Sequence, residues 1–299
     1  MADHTRLASS GSGGQKRTCG SILRAVMKKE IKDLKSLDLY RACLAEFIGT
    51  TILVLFAIGA GLHHQGTEQN SSVHISLMVG FYVAVIITAF ALVSGAHVNP
   101  VITIGFAVQR KISLVRFFFY VLTQSLAGVA GTAILIILTP KSMHGNFGLI
   151  KPGLGITDEQ ALLCELIISF LLMFATAAML DNRRTDVQSV PLMVGLTVSV
   201  NIFFAWNISG GCMNPARNFG PAIITGDFDK QWIYWVGPLI GGAVGALLYE
   251  KVFSVNACET GIAGICRCDE YDSVATEEKE ESKRKVKGSK LSLENISTM

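Results

Sequence analysis

Ser94-Gly95-Ala96-His97-Val98-Asn99-Pro100-Val101 and Ser209-Gly210-Gly211-Cys212-Met213-Asn214-Pro215-Ala216 are two versions of one short frame, each built around Asn-Pro. Both sit where a long apolar stretch breaks off. In a membrane protein a broken helix marks the place where polar backbone meets a permeant. The correspondence runs beyond the frames. An offset of 115 lays Asn99 on Asn214 and also Leu77-Met78-Val79-Gly80 on Leu192-Met193-Val194-Gly195. An offset of 119 sets Ala45-Glu46 opposite Cys164-Glu165, and one of 114 sets Gly128 and Gly131 on Gly242 and Gly245. Each half therefore holds three matched apolar segments. An odd number turns the second half over, which makes an inverted repeat.

Composition agrees with a membrane chain: half of the 299 residues are hydrophobic, 16% are charged and the mean hydropathy is +0.45. Crossing a hydrocarbon layer of about 30 Å takes roughly 20 apolar residues in a helix. Six segments suffice, near 40–61, 74–93, 114–138, 160–180, 189–207 and 232–253, and an all-α membrane protein is expected. The repeats span about 39–138 and 158–253 within a channel domain at 39–253. Residues 1–38 form a polar, basic N-terminal tail without the apolar core of a signal peptide. Residues 254–299 form a charged tail with the composition of a disordered segment.

Eight Lys and Arg precede residue 39, Arg183 and Arg184 separate spans four and five, and seven more, from Arg267 to Lys290, follow span six. The connections at 62–73 and 139–157 hold only Lys141 and Lys151. By the positive-inside rule both termini are cytosolic. The net charge of +3 is thus a topology signal, and no nucleic-acid partner is expected. Seven cysteines at irregular spacing give no disulfide framework. No metal cluster, cofactor motif or nucleophile with its base is legible, so an enzyme is not expected.

The segment from Ser94 to Arg110 is too apolar for an exposed loop and too short to cross. Val101 to Val108 reads as a half-length helix with Pro100 at its first position, where a missing N–H costs nothing. The segment after Pro215 repeats the plan. Two short helices dip in from opposite faces and their N-terminal ends meet near the midplane. Asn99 and Asn214 are placed to cap them, with a side-chain oxygen accepting from orphan N–H groups and the amide nitrogen turned to the cavity. Such donors, backed by the positive ends of two helix dipoles, favour a lone pair and disfavour a cation. Glu46 and Glu165 lie within apolar spans at matching positions, and an intramembrane carboxylate is costly unless hydrogen-bonded. Two roles are open for them: a proton-coupling pair, or acceptors that hold the dipping loops.

These features together resemble the aquaporins, or major intrinsic proteins, across about residues 40–253. The resemblance implies an hourglass fold of six spans and two re-entrant half-helices, one pore per subunit and a homotetramer. It implies midplane motifs at Asn99-Pro100-Val101 and Asn214-Pro215-Ala216, the first departing from Asn-Pro-Ala by its valine. It implies an outer filter of Val79, Ile202, Gly211 and Arg217, with His97 a further lining residue. Orthodox water channels resemble Phe and His at the first two filter sites, and Val and Ile leave a wider, apolar opening. Ala222, Tyr234 and Trp235 instead resemble the water-channel branch. The expectation is a passive plasma-membrane channel for water, glycerol and other small neutral solutes such as urea, surrounded by lipid and closed to protons and ions. A strictly water-selective channel, a proton-coupled transporter and a junctional or scaffold protein are the alternatives. Asn70-Ser71-Ser72 is a glycosylation sequon on an outer connection, and Ser113 follows Arg110-Lys111 as a phosphorylation candidate.

Overall fold

Four of the long helices start at a hydroxyl that accepts from a first-turn backbone N–H. A computed structural model describes residues 19–64, 70–181, 184, 186 and 189–254, with backbone alone for 19–25. Its helices are α1 (Cys19–Leu34), α2 (Leu37–Gly59), α3 (Ser72–Ser94), α4 (Pro100–Val108), α5 (Leu114–Leu138), α6 (Asp158–Met179), α7 (Val190–Ala205), α8 (Pro215–Thr225) and α9 (Ile233–Leu248). Ser36, Ser71, Ser113 and Thr157 cap α2, α3, α5 and α6, the last in a reciprocal box with Gln160. No strand occurs among the described residues.

Helices α2, α3, α5, α6 and α9, the last extended through a π turn to Phe253, are long and apolar enough to cross a membrane. Helix α7, expected over 189–207, has only 16 residues. It ends early because the Ala205 carbonyl accepts from the N–H groups of Ile208, Ser209 and Gly210, turning the chain straight into the second Asn-Pro frame. Helices α4 and α8 are the two half-length elements. Helix α1 is an addition to the sequence reading, because its apolar residues are spaced among lysines and leave no run to notice.

The inverted repeat is visible in the packing. Helix α2 packs on α3 and α5 as α6 packs on α7 and α9. The halves join where α3 crosses α7 at the matched glycines: a Cβ on Gly80 would lie 2.3 Å from the Gly195 carbonyl oxygen, and one on Gly195 the same from that of Gly80. In α9, Gly237, Gly241 and Gly245 let its backbone lie directly on α6. Large apolar side chains are exposed on the outer faces of α2, α3, α5, α6, α7 and α9, as lipid-facing helices require. Polar residues instead gather inside, around the two frames.

Candidate functional site

The two frames have the same backbone. Gly95, Ala96 and Val98 take positive φ in the first, and Gly210, Gly211 and Met213 take it in the second. For a β-branched residue such as Val98, at φ 43°, this is a strained conformation that its surroundings must hold. The intramembrane carboxylates do so. Glu46 accepts from the Ser94 hydroxyl (2.7 Å), the His97 and Val98 N–H groups (2.9 and 2.6 Å) and the Gln124 amide (2.8 Å). Glu165 accepts from the Ser209 hydroxyl (2.7 Å) and the Cys212 and Met213 N–H groups (both 2.8 Å). Both glutamates are fully buried. Between the proton-coupling and loop-holding roles, this geometry favours the second.

Two further residues complete each brace. The hydroxyl of Tyr120 donates to the Ser94 carbonyl (2.8 Å), and that of Tyr234 donates to the Ser209 carbonyl (2.9 Å). Sequence reasoning did not pair these tyrosines. The offset of 114 that aligned the α5 and α9 glycines relates them too, and was the available signal.

Asn99 and Asn214 are the N-caps of α4 and α8, with side-chain oxygens accepting from Val101 N–H in one case and from Ala216 and Arg217 N–H in the other. Pro100 and Pro215 occupy the first helical turn, as expected. The amide nitrogens carry a feature the sequence did not disclose. Asn99 Nδ2 donates to the Met213 carbonyl and Asn214 Nδ2 to the Val98 carbonyl, both at 2.9 Å. Each cap is thus tied across to the opposite loop, and one amide hydrogen on each remains for a permeant. Val101 is fully buried against Gly242, so its extra methyl groups meet protein. The equivalent Ala216 lies on Gly128.

Asn99, Asn214 and the loop backbones line one cavity of about 550 Å³. At one mouth it is bounded by Leu62, His63, Asn70 and His144, and at the other by Thr176, Leu180 and Val190. Val79, Ile202, Gly211 and Arg217 all border it on the Asn70 side of the midplane. Gly211 has φ 67°, and a Cβ there would lie 2.8 Å from Ile202 Cα, so the position contributes backbone only. Arg217 is held by a hydrogen bond from its Nη1 to the Gly148 carbonyl, in the connection between α5 and α6. That connection is itself clamped: Ile150 N–H donates to Asn218 Oδ1 (2.8 Å), Asn218 Nδ2 donates to the Ile150 carbonyl (3.2 Å), and Gly153 N–H donates to the Ile208 carbonyl (2.8 Å). Neither Gly148 nor Asn218 was singled out from sequence as a positioning group. A carbonyl acts through its place in space, and no residue type encodes it.

His97 borders the cavity, but its ring is engaged: Nδ1 lies 3.2 Å from Thr103 Oγ1, and the ring stacks on Phe106 with centroids 4.7 Å apart. Asn70 donates both amide hydrogens to the end of α2, to Ala60 and Leu62 carbonyls at 2.9 and 3.1 Å. A glycan on Nδ2 would replace one of these bonds. Ser113 is buried beneath α1, capping α5 and donating its hydroxyl to Asp33. The charged tail beyond Phe253 lies outside the described residues apart from Ser254, as does Arg183. No group of three or more His, Cys, Asp or Glu able to hold a metal occurs among the described residues.

Comparisons with known proteins agree with this geometry. Aquaporin-4 of Mus musculus is 39% identical over 240 residues, covering 79% of this chain and 74% of that protein. The lens fiber major intrinsic protein of Lithobates pipiens is 37% identical over 221 residues, covering 74% of this chain and 84% of the relative. The X-ray structure of the aquaglyceroporin from Plasmodium falciparum shares the fold, with a TM-score of 0.64 at 23% identity over 72% of this chain and 96% of that one. A family model described as major intrinsic protein matches residues 33–249, the whole stretch from α2 through α9. Because that match takes in both halves of the repeat, the chain belongs to the major intrinsic protein family, as a multi-pass membrane channel through which water or small solutes move passively.

Proposed function

We propose that this pore passes glycerol and urea as well as water, and excludes protons and ions. The observation that carries the reading is the composition of the outer ring: Val79 and Ile202 give it apolar walls, Gly211 adds no side chain, and Arg217 supplies the donors. A polyol can lay its carbons on Val79 and Ile202 while its hydroxyl oxygens accept from Arg217. Selectivity then follows from opening size, donor placement and the helix-dipole field at the midplane. The N-terminal ends of α4 and α8, each equivalent to roughly half a positive charge, are tied together there, and that field opposes a cation while a neutral hydroxyl accepts from the asparagines.

Swelling of proteoliposomes in isotonic glycerol tests the proposal. Glycerol entry well above that of empty vesicles is expected, and water permeation without any glycerol entry rejects the polyol assignment. Val79→Phe combined with Ile202→His is expected to lower glycerol flux about tenfold or more while water flux changes far less, because a narrower ring rejects the larger solute. Equal losses count against these four residues as the filter. A channel for water alone is the second reading, favoured by Tyr234 and Trp235, and the same swelling assay separates the two. The working unit in this reading is a homotetramer at the plasma membrane with both termini cytosolic. Its support is the apolar outer faces and the concentration of Lys and Arg at the α1 end.

A further inference from the structure

Helix α1 divides into three faces. With about 100° of rotation per residue, Glu30 and Asp33 fall on one side, Met27, Ile31 and Leu34 on the next, and Lys28 and Lys32 beyond them, continued by Lys35 in the turn that follows. The first face is docked. Glu30 accepts from the N–H groups of Leu114 and Val115 at 3.1 and 2.8 Å, and Asp33 pairs with Arg116, Nη2 to Oδ1 2.8 Å. The second face is uncovered, with Met27, Ile31 and Leu34 at 54%, 49% and 41% exposure. It continues into the lipid-facing surface, because the Tyr40 hydroxyl donates to the Leu34 carbonyl (2.9 Å) and Leu37, Tyr40 and Leu44 are exposed on α2. On the third face Lys28, Lys32 and Lys35 are exposed and form no ion pair among the described residues.

An apolar stripe beside a lysine row, tied to the end of a transmembrane bundle, has the chemistry of a helix lying in the membrane interface. We propose that α1 is such a helix, seating Met27, Ile31 and Leu34 at the acyl boundary and holding anionic phospholipid headgroups with Lys28, Lys32 and Lys35. The membrane is the occupant because the bundle is already in it, and the exposed stripe runs on from the belt that lipid must cover. The lysines then meet headgroup phosphates and carboxylates at the depth where Tyr40 sits. Since Glu30 and Asp33 on the same helix grip the start of α5, headgroup binding also secures the joint between α4 and α5. None of this depends on which solute the pore passes.

The test is hydrogen exchange on the full chain in nanodiscs of phosphatidylcholine, with and without phosphatidylserine. Backbone amides of α1 from Val26 to Leu34 are expected to exchange more slowly with phosphatidylserine, on the order of a hundredfold, at about fivefold per lysine. High salt removes the difference, and so does the triple variant Lys28→Gln, Lys32→Gln, Lys35→Gln. Unchanged exchange of α2 through α9 in that variant shows that its fold is intact. If that variant is misfolded, Ile31→Ser replaces it and is expected to weaken the lipid response without abolishing it. Identical exchange in the two discs overturns the proposal, pointing to an acidic protein partner for the lysine row. A lipid response retained in full by the folded triple variant overturns it as well.

Discussion

Ile102 in the first half stands where the second half has Arg217, at the same offset of 115 that relates Asn99 to Asn214. The offset carries the other residues of the proposed filter with it: Val79 answers to Val194, Ile202 to Ile87 and Gly211 to Ala96, and all eight line one cavity. The proposed outer ring therefore has an inverted image. One holds a permanent cation opposite apolar walls, and the other is apolar throughout. The braces beneath differ far less: a carboxylate, a serine, two backbone N–H groups and a tyrosine in each half, with Gln124 added in the first. The halves keep what holds the loops, the midplane asparagines and the Val and Ile walls, and differ in the ring at Arg217 against Ile102 and Gly211 against Ala96. Holding strained backbone in an apolar bundle admits few solutions, whereas a ring needs its charge only once.

The equivalence of the braces is open to a severe test. Glu46→Ala and Glu165→Ala each strand buried donors, at about 1–3 kcal/mol for every group left unsatisfied. Both variants are expected to lose the folded, detergent-stable protein on size-exclusion chromatography. If either folds normally and loses only flux, the two glutamates do not have one role. Next in size is Arg217→Ile, which leaves the proposed outer ring differing from its inverted image only at Gly211 against Ala96. Glycerol flux is expected to persist while a proton leak appears in vesicles carrying a pH-sensitive dye, since the only fixed cation of the two rings is gone. A proton-tight variant would assign all charge exclusion to the midplane.

Val101→Ala sharpens the comparison by making the first motif match the second. It removes buried carbon packed on Gly242 and is expected to cost about 1–2 kcal/mol in unfolding free energy, with the ratio of glycerol to water flux unchanged. A changed ratio would mean that the position acts on the permeant. The smallest effect concerns the helix starts. Helix α5 is gripped by α1, whereas the turn leading into α9 is tied to the start of α6 by Lys230 and Asp158, 2.6 Å apart. Burial pushes the Asp33 carboxyl up, but hydrogen bonds from Arg116 and Ser113, with the nearby charges of Arg116 and Lys29, outweigh it and hold the group below its usual range. A depressed carboxyl stabilises the docked state above its ordinary pKa and ceases to do so as pH falls through the lowered value. Protection of the amides in the first turn of α5, relative to the intrinsic exchange rate at each pH, is therefore expected to stay constant from neutral to mildly acidic pH and to fall only below the ordinary carboxylate range. A loss of protection already near neutral pH would contradict the assigned contacts.

Repeat arithmetic made the scaffold legible. Glu46 with Glu165, Asn99 with Asn214 and Gly80 with Gly195 are related by fixed offsets, and each pair meets the same need in both halves, so the chain states it twice. Helix α7 shows where such reading stops: hydropathy extends it to residue 207, while the triple use of the Ala205 carbonyl ends it at 205. The partner of Arg217 was illegible because it is the carbonyl of Gly148, which any residue type would supply. The docking of α1 was hidden because Glu30 and Asp33 sit in a charged stretch that composition reads as solvated tail.

The sequence by itself determined a membrane-embedded inverted repeat and two asparagine-capped half-helices, since hydropathy and local capping chemistry are properties of the chain alone. Only the tertiary structure decided that each asparagine is bound to the opposite loop, that the Gly148 carbonyl aims Arg217, and that α1 grips α5. Those depend on atoms from distant segments arriving within about 3 Å of one another, and hydrogen bonds act only at that range.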